Sequence, residues 1–342
     1  MKLSDRKQAI LAAIVETYIR TGEPVGSKLL AGNLGFNVSP ATVRGDMAWL
    51  FEMGYLEQPH TSAGRVPSHL GYREYIDSLM RPAPLTQQER IEIDSLFNVR
   101  NPDPDKLLED AAEALSDYTK CATVTSSITP KTVRIRRLEL IAAGSNTVVI
   151  LLIASNGMIR NKVCRVDFLV NDNLVGFFNK FANSRLAGMS IDEVSSSYLS
   201  AMSVNLGEYS RVFNPILTAI FELCKDMGDG QYYVSGGAKL LEYGELNRLV
   251  RDLLLMLENR DSLQALFASE RENFKIMIGK ENQSMELSDS AVVMTGYQVD
   301  GIPAGTVGLI GPVRIDYARL IPHLEYFAQT LGELLTETLA RD

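Results

Sequence analysis

Three cysteines, three histidines and a single tryptophan in 342 residues leave little material for cross-links or a metal centre. Cys121, Cys164 and Cys224 stand far apart and form no Cys-x-x-Cys pair, the pattern of reduced thiols rather than of disulfides or zinc ligands. His60, His69 and His323 are equally scattered, so no metal site is expected. The apolar run 147–154 falls well short of the roughly 20 residues that a membrane-spanning helix needs, and the first residues lack a secretory-signal pattern. A cytoplasmic location is therefore expected. Positive charge is not in excess either, since the chain carries −8. No Ser/His/Asp or Cys/His constellation stands out, so neither an enzyme nor a bound cofactor is expected. Residues 305–312 contain spaced glycines but lack the Lys-Ser/Thr pair and the strand–turn–helix setting of a phosphate loop. They predict a bulged or closely packed strand. The length suggests two or three domains, and 46% hydrophobic residues suffice for their cores.

What is present is concentrated in residues 38–75, where a bounded helix joins a glycine-tipped hairpin. Ser39 is a strong N-cap, and Pro40 suits the first helical position, where its missing N–H is no loss. Gly54 supplies the left-handed residue that ends the helix. Val43, Met47 and Leu50 recur at helical spacing and predict the buried stripe. One turn away, Ala41, Arg44, Gly45 and Ala48 predict a face of small side chains around one long cation, suited to close approach to a nucleic-acid groove. Tyr55–Glu57 and Arg65–Val66 read as short strands about the turn Thr61-Ser62-Ala63-Gly64. Helix followed by hairpin predicts the recognition helix and wing of a winged helix. The competing reading is a packing unit whose alanine face meets another helix. Charge placement favours the nucleic acid. Residues 24–45 hold Lys28 and Arg44 with no carboxylate, and residues 58–73 hold His60, Arg65, His69 and Arg73 with none. Residues 1–80 as a whole are balanced, with eight Lys/Arg and eight Asp/Glu. Acids are thus kept out of the two stretches that would face phosphate.

Ahead of this stretch, Ile10, Leu11, Ile14, Val15, Tyr18 and Ile19 predict an amphipathic helix ending before Gly22, and Ser27 reads as the N-cap of a second. Ser68 caps a helix carrying Tyr72, Tyr75, Ile76 and Leu79 on one face. Residues 81–85 read as a linker, followed by a capping box at Thr86–Glu89 and a helix capped by Asp103. Strand-like runs follow at 122–126, 134–142, 147–154 and 158–166, then a helix over 172–186. A second strand block covers 275–279, 291–299 and 305–310. The helix-rich stretch between the blocks predicts an antiparallel α+β sheet with an inserted subdomain.

Residues 38–44, 59–67 and 71–77, together with 278–282 and 308–317 far downstream, resemble the HrcA family of heat-inducible transcription repressors over essentially the whole chain. Gly45 stands where that family usually has Asn, a natural adenine reader, and Val313 and Ile315 where it usually has Thr and Met. The resemblance implies an α+β multi-domain protein. Its expected parts are a winged-helix DNA-binding domain over 1–80, a helical linker over 81–120, a GAF-like domain over 121–189 and 263–342, and an inserted dimerisation domain over 190–262. It also implies a homodimeric repressor of heat-shock chaperone operons, bound to an inverted-repeat operator in double-stranded DNA and kept active by the GroEL chaperonin. Ser39, Pro40, Ala41, Thr42, Arg44 and Gly45 are then the groove-facing residues. His60, Thr61, Ser62, Gly64 and Arg65 follow the DNA backbone from the wing. Arg73 is a weaker candidate that also suits a salt bridge. The alternative is a metabolite-sensing winged-helix regulator with a ligand pocket in the GAF-like domain.

Overall fold

The computed structural model describes residues 3–35, 37–60, 64–97, 103–127, 133–155, 158–228, 230–246, 249–267 and 274–340. It is a mixed α+β structure with antiparallel sheets. At the N-terminus, α1 (Asp5–Thr21), α2 (Ser27–Asn33) and α3 (Pro40–Glu52) precede β1 (Leu56–Glu57) and β2 (Val66–Pro67). Ile10, Leu11, Ile14 and Val15 of α1 meet Val43, Met47 and Leu50 of α3, and all are buried. Full burial of each such side chain contributes roughly 1.5–3 kcal/mol. Ser27 is the first helical residue of α2 rather than its cap, a place taken by Gly26. β1 and β2 pair antiparallel, Leu56 opposite Pro67 and Glu57 opposite Val66. Val25 extends this ladder through an antiparallel bridge to Arg65. Ser68 accepts a hydrogen bond from Gly71 N and starts α4 (His69–Glu74), which continues into a π-helical turn at Tyr75–Leu79.

Next come α5 (Gln87–Leu96), opened by the expected Thr86–Glu89 capping box, α6 (Pro104–Thr119) and β3 (Ala122–Ser127). The chain then forms β4 (Ile135–Gly144), β5 (Thr147–Ala154), β6 (Ile159–Arg165), α7 (Asp172–Leu186), α8 (Ser196–Val204) and α9 (Ser210–Gly228). It returns through β7 (Gln231–Ser235), α10 (Val250–Glu258), α11 (Arg260–Phe267), β8 (Lys275–Ile278), β9 (Ser290–Val299), β10 (Ile302–Pro312) and α12 (Tyr317–Ala340).

Two separate sheets replace the single interrupted sheet expected from the strand runs. The body sheet has the order β7-β3-β10-β9-β8, whereas β4-β5-β6 form a sheet of their own. The excursion out of the body sheet therefore runs from the end of β3 to the start of β7. This corrects the expected insertion at 190–262: β4 to α7 belong to the excursion, and β7, α10 and α11 belong to the body. The reason lies in the cores. Ile135, Leu138, Leu140, Val148, Ile150 and Leu152 pack under α7–α9 and bury Phe178, Phe213 and Ile220. Leu253, Leu257, Leu263 and Phe267 cover Val124, Val292, Met294 and Ile310 on one face of the body sheet. Val293, Val307 and Leu309, one residue out of phase, face Leu324, Phe327 and Leu331 of α12 on the other. The spaced glycines lie in β10, and a Cβ at Gly308 would come 2.5 Å from the Phe267 ring. That is the closely packed strand expected.

The outer edge of β4 is closed by a helix. Asn183 Oδ1 accepts from Leu138 N at 3.0 Å and its Nδ2 donates to Leu138 O at 2.6 Å; Asn179 does the same for Leu140 at 2.7 and 3.1 Å. Two asparagines four residues apart on α7 thus stand in for a neighbouring strand. The core of the N-terminal unit is continuous with the α12 side of the body, and the rings of Tyr72 and Tyr317 lie 6.1 Å apart across the seam. Cys121 and Cys224 are buried, which pushes their thiols up to about 11 and about 12, so both stay protonated at neutral pH. No helix among the described residues is long and apolar enough to cross a membrane.

Candidate nucleic-acid interface

The exposed side of α3 is built as its sequence dictates. Ser39 Oγ accepts from Thr42 N at 3.1 Å and lies 2.9 Å from Thr42 Oγ1, so both hydroxyls are engaged in the cap. Pro40 occupies the first turn. With Val43, Met47 and Leu50 turned inward, helical geometry leaves Pro40, Ala41, Thr42, Arg44, Gly45 and Ala48 exposed. Arg44 makes no hydrogen bond or ion pair with another described residue. A Cβ built at Gly45 would meet nothing within 4 Å. Packing does not require the glycine.

Asp46, the one carboxylate in the middle of this helix, points inward. Arg6 Nε donates to its Oδ2 at 2.7 Å, Arg6 Nη2 to Oδ1 at 3.2 Å, and Lys7 Nζ lies 3.3 Å from Oδ1. Burial alone would raise its pKa, but the hydrogen bonds from Arg6 and Lys7 outweigh that and hold the carboxyl below its ordinary value. The exposed face of α3 thus carries a free guanidinium and no exposed acid before Glu52. Lys7 also lies over the Trp49 ring at 4.9 Å, which ties α1 to α3 a second time.

The hairpin is set beside this face. His60 is exposed, while Thr61 and Ser62, like Ala63, lie outside the described residues. Gly64 is explained by backbone contact: a Cβ there would come 2.4 Å from Val25 O, so glycine alone lets the strand close onto Val25. Arg65 exchanges both backbone hydrogen bonds with Val25, at 2.9 and 3.0 Å. Its half-buried guanidinium lies 4.7 Å from the centroid of the Phe51 ring rather than extending into solvent. Arg73 is turned away altogether and binds Glu281 and Ile276 O of the body. Of the expected residues, those on α3 share one open face and Arg65 packs at its C-terminal end.

Sequence reasoning missed Arg6, Lys7, Val25 and Phe51 as the supports of this face. A signal existed for Asp46, three residues beyond Val43 and four before Leu50 on the inward stripe. None existed for its partners, 39 and 40 positions away.

Residues 105–321 match the family model described as HrcA protein C terminal domain. The heat-inducible transcription repressor HrcA of Clostridium botulinum (strain Alaska E43 / Type E3) is 33% identical over 339 residues, covering 98% of this chain and 98% of that one. The protein of the same name from Thermoanaerobacter pseudethanolicus is 32% identical over 343 residues, again covering 98% of each. Among solved structures, a hypothetical protein determined by crystallography at 2.2 Å resolution matches with a TM-score of 0.66 at 25% identity. That match covers 98% of this chain and 100% of the other.

Proposed function

Because this chain belongs to the HrcA family of heat-inducible transcription repressors, we propose that it represses heat-shock chaperone operons as a homodimer on an inverted-repeat operator. Residues 1–80 act as a winged-helix head, with α3 in the major groove and the hairpin along the neighbouring backbone. The observation that carries this reading is the exposed face of α3, where Arg44 is unpaired, Ala41, Gly45 and Ala48 give it room, and Asp46 is closed off inside. Arg44 reads a base edge, the Ser39 and Thr42 hydroxyls face the backbone, and Pro40 and Ala41 pack against a thymine methyl. In the wing, His60, Thr61, Ser62 and Gly64 follow the DNA backbone, with Arg65 released from Phe51 to meet a phosphate. The chain is no enzyme in this reading, and it works in the cytoplasm.

The unit formed by residues 133–228 is the dimerisation domain. Support comes from the side of its sheet that α7–α9 leave uncovered. Ile141 faces Val149 and Val149 faces Val163, while Ile153 faces Ile159 two rows along. Ile141, Ile159 and Val163 are exposed at 45%, 52% and 64%. A second copy of this face meets the two-fold symmetry of an inverted repeat. The five-stranded body with helices on both faces is GAF-like. Its sheet joins strands from residue 122 to residue 312. Such nonlocal pairing folds slowly and exposes apolar surface meanwhile, which is the physical ground for GroEL maintaining the active form.

The test is a binding titration of purified protein against an inverted-repeat chaperone promoter and a scrambled duplex, each at two stated salt concentrations. Tight binding to the first and salt-sensitive weak binding to the second are expected. Equal affinity for both would refute the operator reading.

A further inference from the structure

Arg73 and Glu281 lie 208 positions apart and meet across the seam between head and body. Arg73 Nε donates to Glu281 Oε1 at 3.0 Å and Nη2 donates to Oε2, giving a two-pronged pair. Nη2 also donates to Ile276 O at 2.9 Å, and Nη1 to Asp77 Oδ1 at 3.2 Å. Glu281 Oε2 in turn accepts from Ile278 N at 2.9 Å. Both charged groups are therefore held by bonds beyond the pair itself. Beside them Gly279 has φ +53°, and a Cβ there would come 2.0 Å from the His69 ring, so the head's imidazole sits where a side chain of the body would be. Arg314 of the body lies against Gly22 at the end of α1, 3.6 Å from where its Cβ would be.

We propose that the Arg73–Glu281 pair positions the head on the body, and so sets the operator spacing that the dimer accepts. This rests on the dimeric, inverted-repeat reading above. Stability alone does not account for the pair. Arg73 and Glu281 side chains keep 28% and 38% of their exposure, and partly exposed pairs contribute little net stabilisation. A planar guanidinium bonded on three sides instead contributes orientation. The contact is also one link in a continuous rigid path. From Glu281 it passes through β8 and the body sheet to α6, where Thr123 and Thr125 of β3 donate to Ala112 O and Leu108 O. From α6 it reaches the three-stranded sheet through Asp105, which accepts from Arg160 Nη1 at 2.5 Å and Nη2 at 3.4 Å. Head and dimer face are thereby fixed relative to each other. Each base pair added between half-sites moves one of them by about 3.4 Å and turns it by about a tenth of a helical turn, so a fixed head tolerates few spacings.

The test uses the full-length dimer with two variants, Arg73→Ala and Glu281→Gln, on duplexes whose half-sites are separated by stepwise longer spacers, and on a single half-site. Wild type is expected to favour one spacing by about tenfold or more over its neighbours. In both variants the preference flattens to about threefold or less, with half-site affinity and sedimentation as a dimer unchanged. Should Arg73→Ala fail to fold, Glu281→Gln decides alone, because its amide oxygen still accepts from Ile278 N. A wild-type preference that persists unaltered in a folded variant overturns the positioning role and leaves the operator reading intact. Tighter binding of the variants at every spacing, and to the half-site, also overturns it and identifies an autoinhibitory contact. A wild type that binds every spacing equally, yet more tightly than the half-site, overturns the positioning role alone, whereas one that binds paired half-sites no more tightly than a single one removes the inverted-repeat reading and the positioning role with it.

Discussion

The carboxylate of Asp46 and the guanidinium of Arg6 meet at 2.7 Å on the inward side of α3, one residue from the open position of Gly45. Asp46 is almost fully buried, with 7% of its side chain exposed, whereas Arg6 keeps 51%. This asymmetry makes the pair a support for the helix, and it removes negative charge from the face that α3 presents to solvent.

Asp46→Asn is expected to destabilise the head by about 1.5–3 kcal/mol near neutral pH, the scale of hydrogen bonds to a charged group. The pH dependence has a definite sign. A carboxyl held below its ordinary pKa in the folded state stabilises fully above its unfolded value, about 3.9, and loses that contribution as pH falls through the folded value. Thermal melts should therefore show the gap between wild type and variant closing on acidification. A gap that is constant across the carboxylate range would show that the Asp46 charge plays no part.

Arg44→Ala is expected to weaken operator binding by about 1–3 kcal/mol and to leave the melting temperature unchanged, since the side chain is exposed and unpaired in the free protein. Fluorescence anisotropy beside a calorimetric melt separates the two effects. Unfolding of the variant would make Arg44 structural.

Gly45→Ala acts in the opposite sense on the free protein. The site is helical and open, so alanine should stabilise by about 0.8–1 kcal/mol through helix propensity alone. Operator affinity should fall if the helix backbone approaches the groove closely. A variant that gains stability and binds as wild type does would release Gly45 from the interface.

Val163→Glu is expected to convert the proposed dimer to a monomer. A carboxylate is placed at the β6 end of the apolar row formed with Ile141 and Val149, at its most exposed member, while the buried face of the same sheet is untouched. Sedimentation reads the oligomeric state directly. Operator affinity should drop by about 100-fold as the second half-site ceases to be bound intramolecularly. A variant that sediments as a stable dimer would move the interface elsewhere.

Local signals carried a large part of this structure. Ser39 and Pro40 open α3, Thr86 and Glu89 open α5, and residues 147–154 and 172–186 form the expected strand and helix, because caps, turns and periodicity act within a few residues. The open face of α3 was legible for the same reason. The pairing of strands was not. Residues 122–126 and 134–142 both read as extended runs, yet Val124 pairs with Gly308 and Val234 while Leu138 pairs with Leu152 and has its edge closed by Asn183. Partner choice depends on which helices cover each sheet, and those helices lie far along the chain. Arg65 reads as a free cation until the fold brings the Phe51 ring beneath it. Arg73 likewise acquires its role only when the path of the chain delivers Glu281, 208 positions on, to within hydrogen-bonding distance. Composition and spacing decide what a segment becomes; which charges and edges meet is decided by closing the chain on itself.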